Sequence, residues 1–167
     1  MPGLIAMSSG DPLVIGPDGQ QVLANWFVKS VVVRELVTPL GSPYRISTAE
    51  QRQFIASGRV PPGWRVVIGA YEGDGPNLEH HFGTVKQHLD QNGSALGKIA
   101  LHTIRFECLV GQVLIHSTPD LPEADHLLGG PSFALGIPSD QPVTWPPQRT
   151  LNAEWMKSVK DFGPAPS

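Results

Sequence analysis

Histidine can both move a proton near neutral pH and ligate a metal, and this chain has six of them. Three fall close together, in Glu79-His80-His81 and at His88. The apolar residues of that segment, Leu78, Phe82, Val85 and Leu89, follow helical spacing behind Asn77, a good capping residue. A zinc pair on a helix needs histidines at i and i+4. His81 and His88 are seven residues apart, which on a helix is about 10 Å along the axis, and His80 and His81 would diverge by about 100°. The segment is therefore expected to be an amphipathic helix with no metal on it.

A second set of groups lies further on. Asp120, Glu123, Asp125 and His126, with His116 just before them, are of the types that bind a metal or exchange protons. They sit in a stretch that reads as loop, where functional groups concentrate, although acidic residues after a proline also mark ordinary helix starts. They define one candidate function, a small hydrolase or metal-dependent enzyme.

Other constellations fail on chemistry. Gly130-Pro131-Ser132-Phe133-Ala134 has the outline of a nucleophile elbow, but no histidine follows His126 to complete the order such a site needs. Cys108 can be drawn with His102 or His116 as thiol and base. Its position between Phe106 and Val110, however, predicts a buried and inert thiol on the apolar face of a strand. Gly73-Asp74-Gly75 opens a segment as a phosphate loop would, yet Glu72 and Asp74 repel phosphate and no P-loop lysine follows. No cofactor is expected.

Aromatic residues next to rigid turns are the remaining candidates. Trp64 follows Pro61-Pro62-Gly63, Trp145 precedes Pro146-Pro147, and Trp155 falls in a short helical pattern near the end. Such indoles either anchor a partner surface or clamp loops onto the protein's own core.

Composition narrows the classes. Eighteen glycines and seventeen prolines among 167 residues make about a fifth of the chain, well above ordinary usage, and a helical bundle does not tolerate that surplus. Hydrophobic residues at 40% are enough for one packed core. The net charge of −3 and the twelve scattered Lys and Arg residues argue against nucleic-acid binding. A single cysteine excludes an internal disulfide. No apolar window reaches membrane-spanning length, and residues 1–10 lack the cationic start of a signal peptide. The expected location is the cytoplasm or an assembled particle.

The elements that must position these residues follow from local pattern. Gly16-Pro17-Asp18-Gly19 reads as a turn. Val22 to Val37, rich in β-branched residues, reads as one or two strands bent near Lys29-Ser30, with a helix over Val22 to Leu36 as the competing assignment. Ser47-Thr48-Ala49-Glu50 is a capping box, and Ser57-Gly58 ends the helix it opens. Trp64 to Tyr71 predicts a buried strand, and Ile99 to Val110 a strand that Gly111 separates from a second one over Gln112 to Ser117, through a hairpin or as a bulged continuation. Leu151 to Val159 predicts a last helix.

The expected architecture is an α+β, β-leaning single domain with two or three short helices, residues 1–118 forming a compact core. Residues 119–167 form an irregular Pro/Gly-rich arm with a terminal helix, packed on the same domain or on a partner. The charge-poor surface and this arm favour a structural or interaction protein that docks into a larger assembly through loops and terminal segments. A virion or tail-like component is one possible setting, and protein partners or self-association are expected.

Overall fold

The computed structural model describes residues 2–37, 46–73, 78–89, 95–116 and 135–161. In chain order these form α1 (Pro2–Ser8), β1 (Leu13–Ile15), α2 (Pro17–Val37), α3 (Thr48–Ser57), β2 (Arg65–Ala70), β3 (Leu78–Leu89), β4 (Ala95–Phe106), β5 (Leu109–His116), β6 (Leu135–Ile137), β7 (Val143–Trp145) and α4 (Ala153–Asp161). The domain is mixed α+β, as the composition predicts. Among the described residues it has four helices, one of them 21 residues long, where two or three short ones were expected.

Five strands make one antiparallel sheet in the order β3-β4-β5-β2-β6, and β1 pairs with β7 in a separate two-stranded ribbon. The predicted strand at Trp64 to Tyr71 is β2, held between β5 and β6. β4 and β5 form a hairpin with Phe106 opposite Leu109, so the turn is Glu107-Cys108. It does not fall at Gly111, which pairs with Ile104 inside the ladder. Glu107 adopts φ 53°, in the left-handed region that hairpin turns usually fill with glycine or asparagine. Cys108 consequently lies in that turn, half-buried, and not on the apolar face of a strand.

The largest departure from expectation is α2. Pro17 and Asp18 open the helix instead of forming a free turn. Proline suits the first helical position because its missing N–H would have no partner there, and Gln20 N–H already bonds Gly16 C=O at 3.0 Å. The β-branched residues favour a strand only weakly and in context. Here the helix wins because Leu23, Ala24, Phe27, Val28, Val31 and Val32 fall on one stripe and are all buried. That stripe packs on the sheet so closely that a Cβ on Gly111 would sit 2.0 Å from Phe27 Cε1.

The converse holds for β3. Its apolar spacing predicts a helix, but Leu78 to Val85 pair in register with Phe106 to Ile99 of β4. Pairing with a long neighbouring strand satisfies its backbone and overrides the local period.

The capping box is formed as predicted. Ser47 Oγ accepts from Glu50 N–H, the Glu50 carboxylate accepts from Ser47 N–H, and Gly58 closes α3 at φ 59°. Glu50 also accepts a bond from Trp64 Nε1 at 3.3 Å.

Residues 135–161 of the predicted arm pack on the same chain. β6 extends the main sheet, and β7 covers β1. Leu151 exchanges backbone bonds with Ala70 (2.7 Å) and Glu72 (2.8 Å). One buried side chain ties the arm down. Gln20 Nε2 donates to Ile15 C=O at 3.0 Å and Gln141 C=O at 2.8 Å, while its Oε1 accepts from Ser139 N–H at 2.8 Å.

Candidate binding cleft

Residues of α2 lie about 100° apart around its axis, so Val22, Trp26, Val33 and Val37 fall on the side opposite the buried stripe. That outward side is apolar as well: Val33 is 50% exposed and Val37 71% exposed, and Leu36 and Val22 are also exposed. An ordinary surface helix carries charged and polar residues there. Beside this face the helix and the start of β3 enclose an open cleft of 550 Å³. Trp26, Val33 and Val37 line it from the helix and Leu78 from the strand, with Lys29 and Arg34 among its polar residues.

His80 and Ile104 belong to the cleft from the sheet side. They are directly opposed in the β3–β4 ladder, and the next opposed pair on that face is Phe82 and His102. His80 and His102 therefore meet diagonally, Nε2 to Nδ1, at 3.2 Å. On the other side of its ring, His102 Nε2 is 3.7 Å from Glu35 Oε1, both side chains being buried.

Burial lowers the His102 pKa to about 3, with smaller contributions from His80 and Arg34. The ring is therefore neutral at pH 7, so its contact with Glu35 is no ion pair, and 3.7 Å is too long for a hydrogen bond. A neutral imidazole has one N–H. Which of His80 Nε2 and His102 Nδ1 donates depends on the tautomers of the two rings, and in either case the bond ties His80, at the cleft, to the buried His102.

On the other face of β4, Gln112 Nε2 donates to Thr103 Oγ1 at 2.9 Å, and the Arg105 guanidinium lies 4.3 Å from the centre of the Tyr71 ring. Among the described residues no group of three or more His, Cys, Asp or Glu is placed to hold a metal, and no helix is long and apolar enough to cross a membrane.

The residues singled out from sequence distribute as follows. Asp120, Glu123, Asp125 and His126 lie outside the described residues. So does the segment Gly130 to Ala134. His116 ends β5, its backbone opposite Ile99. Trp64 and Trp145 are buried in the chain's own core, at 5% and 0% exposure. Trp155 is half-buried against a small cluster of Tyr71, Val110, Leu151 and Met156.

Sequence reasoning missed the cleft and the His80–His102–Glu35 line. The signal was present as a carboxylate, Glu35, in the apolar run Val31 to Val37, and a histidine, His102, in the apolar stretch Ile99 to Val110. Both are polar residues where the pattern demands apolar ones. In comparisons with protein-family models, with curated proteins and with solved structures, nothing matches this chain.

Proposed function

We propose that this domain is a structural or interaction subunit that docks into a larger protein assembly, with the outward face of α2 and its adjoining cleft as the docking surface. One observation carries this reading: among the described residues, α2 buries one apolar stripe and carries Val22, Val33, Leu36 and Val37 exposed on the other side. A helix apolar all round belongs in an interior, and a contiguous apolar patch rimmed by polar residues is the mark of an interaction site. Val22, Val33, Leu36, Val37 and Leu78, each 49% exposed or more, form that patch together with Trp26. The virion or tail-like setting fits a subunit of this kind as one case.

The test is the native mass of the protein in extracts of cells that make it. Wild type is expected to elute in a complex well above the 18.0 kDa of one chain. The Val33→Asp/Val37→Asp double variant, altered only at exposed positions, is expected to elute as a folded monomer. Identical elution of the two contradicts the proposal.

A second reading, a small hydrolase, is favoured by the buried carboxyl, imidazole and cleft imidazole standing in line, an order that orients a base. It requires that the purified protein cleave an activated ester faster than free imidazole does, and that His80→Gln remove the excess. An uncatalysed rate ends that reading.

A further inference from the structure

Glu35, His102 and His80 stand in the order of a carboxylate, a buried ligand and an accessible ligand at a metal site. His80 and His102 occupy diagonal positions on one face of the paired strands β3 and β4, close enough for two rings to meet. Their facing nitrogens, His80 Nε2 and His102 Nδ1, are 3.2 Å apart. Two imidazole nitrogens on one tetrahedral zinc, each at about 2.05 Å, are separated by roughly 3.3 Å. The rings therefore need almost no movement to share an ion. The divergence that rules out histidines on one helix does not apply to histidines on two paired strands.

The Glu35 carboxylate lies where a ligating histidine ordinarily has its supporting group. Its Oε1 is 3.7 Å from His102 Nε2, on the far side of the ring from His80, and both side chains are buried. A carboxylate there favours the tautomer protonated at Nε2, makes Nδ1 a better donor and offsets part of the ion's charge. Burial keeps His102 neutral, and the neutral ring is the form that binds a metal. Arg34 acts in the other direction: its charge disfavours protonation of His102 and disfavours a dication for the same reason. Affinity must come from the two imidazoles, which suit zinc, copper and nickel, whereas magnesium and calcium prefer oxygen ligands. His80 borders the open cleft, which gives an ion and its waters a way in.

We propose that His80 Nε2 and His102 Nδ1 hold one zinc ion at the sheet-side floor of the cleft, with Glu35 as the positioning carboxylate behind His102 and water at the remaining positions. Each neutral ring then carries its one proton on the outer nitrogen, Nδ1 of His80 and Nε2 of His102. This site does not rest on the docking role of the α2 face, and native mass decides that role separately.

Zinc chloride titrated into the full chain by calorimetry is expected to bind at one equivalent and to raise the Tm; magnesium chloride is expected to do neither. Nitrogen-15 NMR of the histidine rings is expected to show zinc moving Nε2 of His80 and Nδ1 of His102, with the proton of His102 on Nε2. His80→Ala, at a half-buried position, is expected to keep its circular dichroism, to weaken zinc at least tenfold and to lose the rise in Tm. Glu35→Gln keeps the side-chain shape and is expected to weaken zinc by about tenfold and to move the His102 Nε2 resonance. His116→Ala, at the end of β5, is expected to bind as wild type does.

No saturable binding at one equivalent, an unweakened His80→Ala, or zinc-induced shifts confined to other histidines overturns the proposal. Equal losses from His80→Ala and His116→Ala, the pattern of scattered surface binding, overturn it too, as does a folded Glu35→Gln with wild-type affinity. Where Glu35→Gln does not fold, His80→Ala and the ring spectra decide.

Discussion

Gly111→Ala is the sharpest single perturbation of this fold, because it acts where α2 approaches the sheet most closely. A Cβ at position 111 would lie 2.0, 2.1 and 2.5 Å from Cε1, Cζ and Cδ1 of Phe27, whereas carbon atoms in contact rest about 3.5–4.0 Å apart. The ring must retreat by about 1.5 Å to reach that spacing. Phe27 is wholly buried and belongs to the main core cluster, so its neighbours must shift too. Overpacking costs about 1–3 kcal/mol and occasionally more, and a clash with a confined ring belongs at the top, at about 3 kcal/mol. In a chain of this size that lowers the Tm by about 6–12 °C.

Urea denaturation of Gly111→Ala, Phe27→Leu and the double variant measures this directly. Each single change destabilises, but Phe27→Leu makes room for the new methyl. The double variant is therefore expected to be more stable than the sum of the singles by about 1–3 kcal/mol. A Gly111→Ala change within about 0.5 kcal/mol of wild type, or strict additivity, would refute the placement of Phe27 over β5.

Three further outcomes follow from individual contacts. His102 is held neutral with its pKa lowered to about 3, so it binds a proton in the unfolded chain before it does in the folded one. Its contribution makes stability rise with pH between about 3 and 6.5 by several kcal/mol in total, and His102→Gln is expected to flatten that slope by one proton in urea titrations at several pH values. Gln20→Ala removes three hydrogen bonds to Ile15, Ser139 and Gln141; a loss of about 2–4 kcal/mol is expected, with faster hydrogen exchange concentrated at residues 139–145. Glu107→Gly relieves a left-handed residue at φ 53°, and a net stabilisation of up to about 1 kcal/mol is expected after the added freedom of the unfolded chain is deducted.

Local signals were legible where the chain's own neighbours decide the structure. Ser47, Glu50 and Gly58 specify α3 because each makes its bond within one turn. The strand over Ile99 to Val110 was legible as well, although it ends at Phe106 and its residues 100–105 are buried on both faces, polar Thr103 and Arg105 included. Where tertiary contacts decide, the pattern misleads. Val22 to Val37 is β-branched enough to be a strand, yet it becomes a helix because Phe27 and Val31 are buried on one stripe. Leu78 to Leu89 has helical spacing, yet it pairs with β4.

The cleft depends on both of these segments at once. Reading the helix as strand and the strand as helix separated His80 from His102 and hid the outward side of α2. Trp64, Trp145 and Trp155 were visible as candidates and Trp26 was not, because nothing local distinguishes Trp145, closed inside the core, from Trp26, which lines the cleft.

The docking role of the outward α2 face is tested most directly by a photo-crosslinking residue placed at Val37, the most exposed apolar position on that face, and at the exposed control position Gln53 on α3. Irradiation of intact cells is expected to give one discrete adduct from position 37 and none from position 53. Equal, diffuse labelling from both positions would contradict the account.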